Sequence, residues 1–534
     1  MMSRTALLRL SNVCLPAPLL VGCTWAFAVL VTVAVPDASA EETQRIGLLE
    51  AVRHTLQHNP NVKLSQFDVE ASRGALQQES GSFDTVSAVS GEVSREYTIL
   101  TSVEREQAGI DDYDTDGTTL SAGLSRYLRT GQTVSVEASV SRLADDISYP
   151  TTPNAGAVQF ALLQPLLKGR GRDAAAANES QAEKQLAASR YDLQRSIAEQ
   201  IAATVAAYWD YHASQRVLET LKQSEQRAER RLEDTKALVA SGEIPQTDIE
   251  QSAADLAARA ARRVKAEAAV FAARQALGIA IGIPNDSFST LGETTNSFPT
   301  LETKDLPSKA QIASFLATCF SQRSDLHAAE LRAEAAQIVL AATKNNELPQ
   351  LDLTIGAGYS ALDEGSPLGR LRTALSEDSS GPNLLASLTY SFPVENNTAQ
   401  GLRVQAEALL AQRKILVEEL QRQIRSDVAT AFATIEGNFF SYQQSQAAVR
   451  AFERSLENET TKQRMGLSSI LLVQQVEDQL TSAILDNIQA ARDYAVAIIS
   501  LRLASELLPV AEEPHYQLSL NDLITLPPTL AQQQ

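Results

Sequence analysis

The feature that most constrains this chain is an internal duplication, because a sequence that states one plan twice must fold it twice. Leu48, Val52 and Leu56 recur as Ile312, Leu316 and Phe320, and Val62 recurs as Leu326, all at an offset of 264. Leu193, Ile197, Ile201, Val205 and Tyr208 recur as Leu420, Ile424, Val428, Phe432 and Ile435 at an offset of 227. Pro165 pairs with Pro393 at 228, and Gly242 with Gly466 at 224. Echoes kept in order mark a repeated architecture. The offset falls from 264 to 228, so the first copy carries about 36 extra residues between its first helix and Pro165.

Each copy runs through the same succession. A helical stretch (about 46–80 and 308–346) leads to a strand-like region (about 84–164 and 350–393). A very long helix follows (about 172–240 and 400–465), and a shorter helix closes the copy (about 247–281 and 469–507). From Leu218 the apolar seam runs through Leu221, Glu225, Ala228, Leu232, Thr235 and Val239 in steps of three and four, a coiled-coil period interrupted by one charge. Gly242 stops that helix as a C-terminal cap, Pro245 follows, and Thr247 to Glu250 spell a capping box for an antiparallel return. At ~1.5 Å per residue the long helices reach about 100 Å. The closing helices are little over half as long, so each needs a second half-length helix stacked on its end. By length, 247–281 pairs with 308–346, and 469–507 with 46–80.

The strand regions alternate. Leu120, Ala122 and Leu124 are interleaved with Ser121, Gly123 and Ser125, and Leu353, Ile355 and Ala357 with Asp352, Thr354 and Gly356. Lipid on one face and water on the other would give this pattern, and so would a half-buried soluble sheet. Thr130-Gly131 reads as a turn between two alternating runs, which adds a hairpin in the extra segment, either in the wall or folded over its mouth.

The N-terminus carries an export signature. Arg4 and Arg9 precede an apolar stretch from about Leu19 to Val35, and Ala38-Ser39-Ala40 supplies a small-residue cleavage pattern. Leu20-Val21-Gly22-Cys23 is a competing lipoprotein-type box. Removal of residues 1–40 takes the formal charge from −19 to −20 and leaves Cys319 as the one cysteine, so no internal disulfide or cysteine metal cluster can form. Beyond the leader no apolar run reaches the 18 residues of a membrane helix, so any membrane passage is by a closed β-barrel. The strong negative charge, with no basic patch, argues against nucleic acid as a partner.

This order is similar to that of the TolC-like outer-membrane efflux protein family over nearly the whole mature chain. The resemblance rests on Asn59-Pro60 and its counterpart Arg323-Ser324-Asp325-Leu326, and on Leu348-Pro349-Gln350-Leu351 at the second strand pair. It rests also on the corners Gln164-Pro165-Leu166-Leu167 and Ser391-Phe392-Pro393-Val394, and on the tips Leu238-Val239-Ala240-Ser241-Gly242 and Gln463-Arg464-Met465-Gly466-Leu467. It implies a mainly α chain with β. The duplicated unit of helix, strand pair, long helix and helix forms, as a homotrimer, an outer-membrane β-barrel on a long periplasmic α-helical barrel. On that reading residues 1–40 are a signal peptide, 41–295 the first repeat, 296–508 the second and 509–534 a flexible tail. Two strand pairs per chain would give twelve strands per trimer, since four alone cannot close a barrel.

The resemblance further implies the exit duct of a tripartite efflux or type I secretion system, set in outer-membrane lipid and reaching into the periplasm. An inner-membrane pump would be joined through a periplasmic adaptor that docks at Ser241, Gly242, Glu243 and Ile244 with Met465, Gly466, Leu467 and Ser468. Asp248 is the candidate acidic residue at the tunnel entrance, whereas the second copy departs, with Leu472 at the equivalent place. Turn and capping chemistry alone would also account for Gly242 and Thr247.

Enzymatic signatures are weak. Asp112, Asp114, Asp116 and Gly117 resemble the opening of a calcium loop, but Gly123 stands where its glutamate belongs. His54 and His58 lie one helical turn apart without a third ligand. Cys319 sits among apolar neighbours. The sequence therefore points to a non-enzymatic chain without a metal or other cofactor. A different class, a periplasmic coiled-coil scaffold that conducts nothing, would explain the helices but not the duplicated alternating strands.

Overall fold

A computed structural model describes residues 44–145, 153–301, 309–364, 380–508 and 518–527. The 1–40 leader lies outside them. A short strand β1 (Gln44–Ile46) leads into α1 (Leu48–His58) and α2 (Pro60–Ser80). Strand β2 (Thr85–Ile99), helix α3 (Ser102–Ala108), and strands β3 (Asp112–Tyr127), β4 (Thr133–Asp145) and β5 (Pro153–Pro165) follow. A single turn α4 (Arg172–Ala175) breaks at Ala176 before α5 (Ala177–Ala240), which returns as α6 (Thr247–Ile281). Strand β6 (Leu291–Thr294), α7 (Lys309–Gln322) and α8 (Ser324–Asn346) open the second half. Strands β7 (Gln350–Glu364) and β8 (Ser380–Ser391), the 68-residue α9 (Asn397–Arg464), α10 (Ile470–Ala504) and a final turn α11 (Asn521–Ile524) complete it.

The long helices form because their apolar positions recur at helical spacing and bury against one another. The repeated positions occupy equivalent places: Ile201, Val205 and Tyr208 on α5, and Ile424, Val428 and Ile435 on α9, are all fully buried. Each anchors a core near mid-helix. Around α5 it includes Leu48, Val52 and Trp209, the last stacked on Phe298 at 5.4 Å; around α9 it includes Phe315, Phe439 and Ile498. Strands β1 and β6 pair in parallel beside the first core. Towards the tip of α5 the inward residues are Leu221, Ser224, Ala228 and Thr235. The seam expected through Glu225 thus shifts by one residue, because Glu225 turns aside to pair with Arg263 of α6 while small Ser224 packs inward.

The half-length helices stack within each repeat, not across repeats as length alone suggested. Gly282, just beyond α6, lies against the backbone of His58 and Asn59 at the start of α2. Asn59 Nδ2 donates to the Ala280 carbonyl at 2.8 Å, and its Oδ1 accepts from the Asn61 and Val62 amides, so one side chain caps α2 and holds the end of α6. Arg323 plays the matching part in the second half, donating to the Ala504 carbonyl of α10 at 2.7 Å while it pairs with Asp325 at 2.9 Å. Helix ends leave unsatisfied carbonyls, and these buried donors satisfy them. Length could not have decided between the two pairings.

The sheet gives the place of the hairpin read in the extra segment. Among the described residues, the two expected strand pairs and that hairpin form one antiparallel sheet of six, in the order β2-β3-β4-β5-β7-β8. The extra segment is therefore two further strands in register with the rest. The turn at Thr130-Gly131 is tied to the start of the helical region, with Gly131 at φ 95° and the Gly171 amide donating to the Thr130 carbonyl at 3.0 Å. Asp112, Asp114 and Asp116 lie along β3, with Arg95 of β2 paired to Asp114 and 3.7 Å from Asp116, so extended backbone replaces the expected loop. The tail is also not free throughout. Leu523 is fully buried, and Arg502 of α10 donates to the Thr525 carbonyl at 3.0 Å. Among the described residues no helix is long and apolar enough to cross a membrane, and no group of three or more ligating side chains could hold a metal.

Candidate functional site at the helical tips

Both hairpins turn through the same backbone device. Gly242 adopts φ 79° and Gly466 φ 74°, a left-handed conformation that glycine reaches without steric cost. At the first tip the Gly242 amide donates to the Val239 carbonyl and the Glu243 amide to the Leu238 carbonyl, both at 3.0 Å. At the second, the Gly466 amide donates to Gln463 and the Leu467 amide to Lys462, both at 2.9 Å. These are Schellman closures, which satisfy the last helical carbonyls.

Around that shared turn the chemistry diverges. At the first tip Ser241, Gly242 and Glu243 are exposed and Ile244 is half-buried. Asp248 sits half-buried in the first turn of α6, where the helix dipole favours a carboxylate. The capping box expected from Thr247 to Glu250 does not form. Gln246 already has helical backbone angles (φ −61°, ψ −26°), so Thr247 falls inside the helix, its hydroxyl 3.4 Å from Asp248. At the second tip Met465 and Leu467 project into solvent, with Leu471 and Leu472 exposed just beyond. Ser468 instead turns back and donates to Glu459, which Lys462 also contacts at 3.1 Å, and the carboxyl of Glu459 is held below its ordinary range by the Ser468 hydrogen bond first and Lys462 second. Ser469 caps α10 by accepting from the Leu472 amide. One tip is thus acidic and polar, and the other apolar.

A buried ion-pair cluster lies about three helical turns, roughly 16 Å, from the tip glycines. Glu477 of α10, 3% exposed, takes both Arg227 and Arg231 of α5. Arg259 of α6, also 3% exposed, reaches Asp255 at 3.0 Å, Asp478 of α10 at 2.8 Å and the Ser224 hydroxyl of α5. Burial lowers the pKa values of Arg227 and Arg231, while Asp255 and Asp478 act in the opposite sense on Arg231. The cluster ties the first hairpin to the second through partners as much as 250 residues apart, which no local motif could reveal. Glu477 and Asp478 thus serve these contacts within one chain. The other weak signals have ordinary explanations: His58 bonds back to the His54 carbonyl at 3.2 Å, and Cys319, 1% exposed, has its thiol pushed up to about 11 by burial.

Six antiparallel strands raised on two hairpins, with helices of 64 and 68 residues, define the class: a tandemly duplicated fold of the TolC-like type. Residues 318–505 match the family model for outer membrane efflux proteins, the family that the sequence order resembles. The structure is similar to the CmeC outer membrane channel of Campylobacter jejuni (TM-score 0.63, 15% identity, covering 86% of this chain and 85% of that one). It is similar also to the outer membrane protein VceC of Vibrio cholerae (0.60, 16%, 86% and 95%) and to the MtrE outer membrane channel of Neisseria gonorrhoeae in its open state (0.59, 17%, 86% and 88%). No curated protein matches the sequence significantly. CmeC and MtrE are both described as outer membrane channels.

Proposed function

We propose that this chain is the outer-membrane exit duct of an export system, working as a homotrimer with its helices in the periplasm. The observation that carries the reading is the two-faced sheet. Val89, Ala122, Ala138, Val158, Tyr359 and Pro382 are consecutive cross-strand partners and form one apolar row across all six strands. One residue along, on the opposite face, Ser90, Ser121, Ser139, Ala157, Ser360 and Gly381 form a row of small and mostly polar groups. Lipid against the first face and water against the second is the arrangement a membrane barrel requires. A coiled-coil scaffold has no use for it.

The duct has no energy source of its own, so an inner-membrane pump must drive cargo into it. The paired tips offer the contact for a periplasmic adaptor, the exposed Met465, Leu467 and Leu471 supplying apolar area and Glu243 with Asp248 a polar border. The buried cluster around Glu477 and Arg259 holds α5, α6 and α10 together and so favours a closed entrance. The test is single-channel conductance of the purified mature protein in a planar bilayer, with its mass measured in detergent. Discrete steps from a trimer are expected. A monomeric or dimeric rod that never inserts would overturn the duct and leave a periplasmic scaffold.

A further inference from the structure

The six-stranded sheet has two open edges. One is β2, fifteen residues long, and the other is β8, twelve residues long. Among the described residues each leaves a row of backbone amides and carbonyls that no strand of the same chain pairs with. In hydrocarbon each unsatisfied group costs several kcal/mol, so neither edge can face lipid. We propose that β2 of one copy pairs with β8 of the next, and that three copies close a wall of eighteen strands instead of the twelve that two strand pairs per chain would give. This rests on the homotrimeric duct proposed above and specifies its wall.

Three observations converge on that wall. Direction is the first: successive strands alternate along the sheet, so with six of them β2 and β8 point opposite ways and a β8–β2 seam continues the antiparallel order. Register is the second. The apolar and polar rows run unbroken through β2 and β3, with Val89 and Ser90 on the same faces as their counterparts on β7. A hairpin folded over the mouth would have no reason to keep that match. Length is the third. Pro382, whose nitrogen carries no hydrogen, stands near one end of β8, so Asn383–Ser391 remains free to pair along most of β2.

Size follows from strand count. With strands ~4.8 Å apart and tilted by about 40°, eighteen strands enclose a backbone diameter of roughly 36 Å, against roughly 24 Å for twelve. Helices α2, α5, α8 and α9 of each copy approach the base of the sheet, twelve in a trimer. At ~9–10 Å between axes these twelve have a perimeter of roughly 110 Å, about that of the wider wall. Barrels of this strand number leave an open aqueous lumen.

The seam can be read by disulfide trapping of the full-length protein in outer membranes. Cys319 is buried, so introduced cysteines report with little background. Val86→Cys, Val89→Cys or Val93→Cys in β2 is combined in turn with Leu384→Cys, Leu385→Cys or Leu388→Cys in β8. The same β8 variants are combined with Val136→Cys or Val140→Cys in β4. Ala357→Cys with Leu384→Cys, direct partners within one sheet, checks that oxidation proceeds. The expected result is dimer and trimer bands on a non-reducing gel for at least one β2–β8 combination and none for β4–β8. Linkage of β8 to β4 would overturn the proposal, since it leaves β2 and β3 outside a twelve-stranded wall. Failure of every combination while the check pair oxidises would overturn it too. Either result with the trimer mass intact sinks the eighteen-stranded wall alone, whereas loss of the trimer in the unmodified protein sinks the duct as well.

Discussion

Glu459, on the last turns of α9, shows how a single carboxylate can set the shape of a tip. Its side chain is 11% exposed and receives Ser468 and Lys462, which hold its pKa below the ordinary value. A carboxylate with a lowered folded pKa stabilises the fold above its unfolded pKa, and that contribution is lost as pH falls through the folded value. The second tip should therefore stay ordered at neutral pH and loosen only below the usual glutamate range. Ser468→Ala removes the larger cause and should move that loosening to higher pH. A nitroxide attached at Met465→Cys reads it directly, as a mobility transition whose midpoint rises in the Ser468→Ala background. An unchanged midpoint would mean that Ser468 does not hold Glu459. Neither residue stood out as a pair in the sequence, since a serine and a glutamate nine positions apart carry no pattern until a glycine folds one back on the other.

At the scale of elements, the legible features were those set by local chemistry. Ile281 and Gly242 mark the ends of their helices as read, because glycine punctuates a chain wherever it stands, whereas the cap read at Thr247 does not form. The stacking of half-helices was not legible, since it depends on Asn59 and Arg323 reaching carbonyls some 180 or more residues away. Nor was the place of the added hairpin, because each barrel strand signals weakly and the two added ones look like the others. The glycines separate local from distant demands in a way that can be measured. Gly242 and Gly282 share nearly the same backbone, φ 79° and 80°, but a Cβ at Gly242 meets nothing within 4 Å whereas one at Gly282 lies 2.7 Å from the Asn59 Cα. Gly242→Ala should cost only the left-handed strain, ~1–2 kcal/mol. Gly282→Ala adds overpacking against fixed backbone, about 1–3 kcal/mol more, where α6 meets α2. Thermal unfolding in detergent should show a clearly larger fall in Tm for Gly282→Ala. Equal falls would mean that the joint yields.

For the whole molecule, a duct of the proposed kind would place its barrel and its helical tips as conductors in series, so that the narrower sets the current. In the proposed duct a wall of eighteen strands would offer little resistance, and the paired tips, held together by the ion pairs around Glu477, would offer most of it. Glu477→Gln leaves Arg231, whose side chain is 13% exposed, and the more exposed Arg227 without the carboxylate they share. Loss of one partner from a fully buried pair costs roughly 3–5 kcal/mol because the remaining charge stays desolvated, and the 39% exposure of Arg227 sets this loss at or below the lower end. That cost falls on the contact between α5 and α10, not on the sheet, so the variant should remain a trimer while its entrance relaxes. Single-channel conductance should then rise severalfold over the parent, and cells should become more sensitive to solutes too large for the closed duct. Parent-like conductance from an intact Glu477→Gln trimer would place the main resistance elsewhere, and with it the gate. The same recording bounds the barrel, because once the tips no longer limit the current the ceiling it approaches is set by the wall. A ceiling suited to a bore of roughly 24 Å would favour twelve strands, and a clearly higher one the eighteen that this sheet can close.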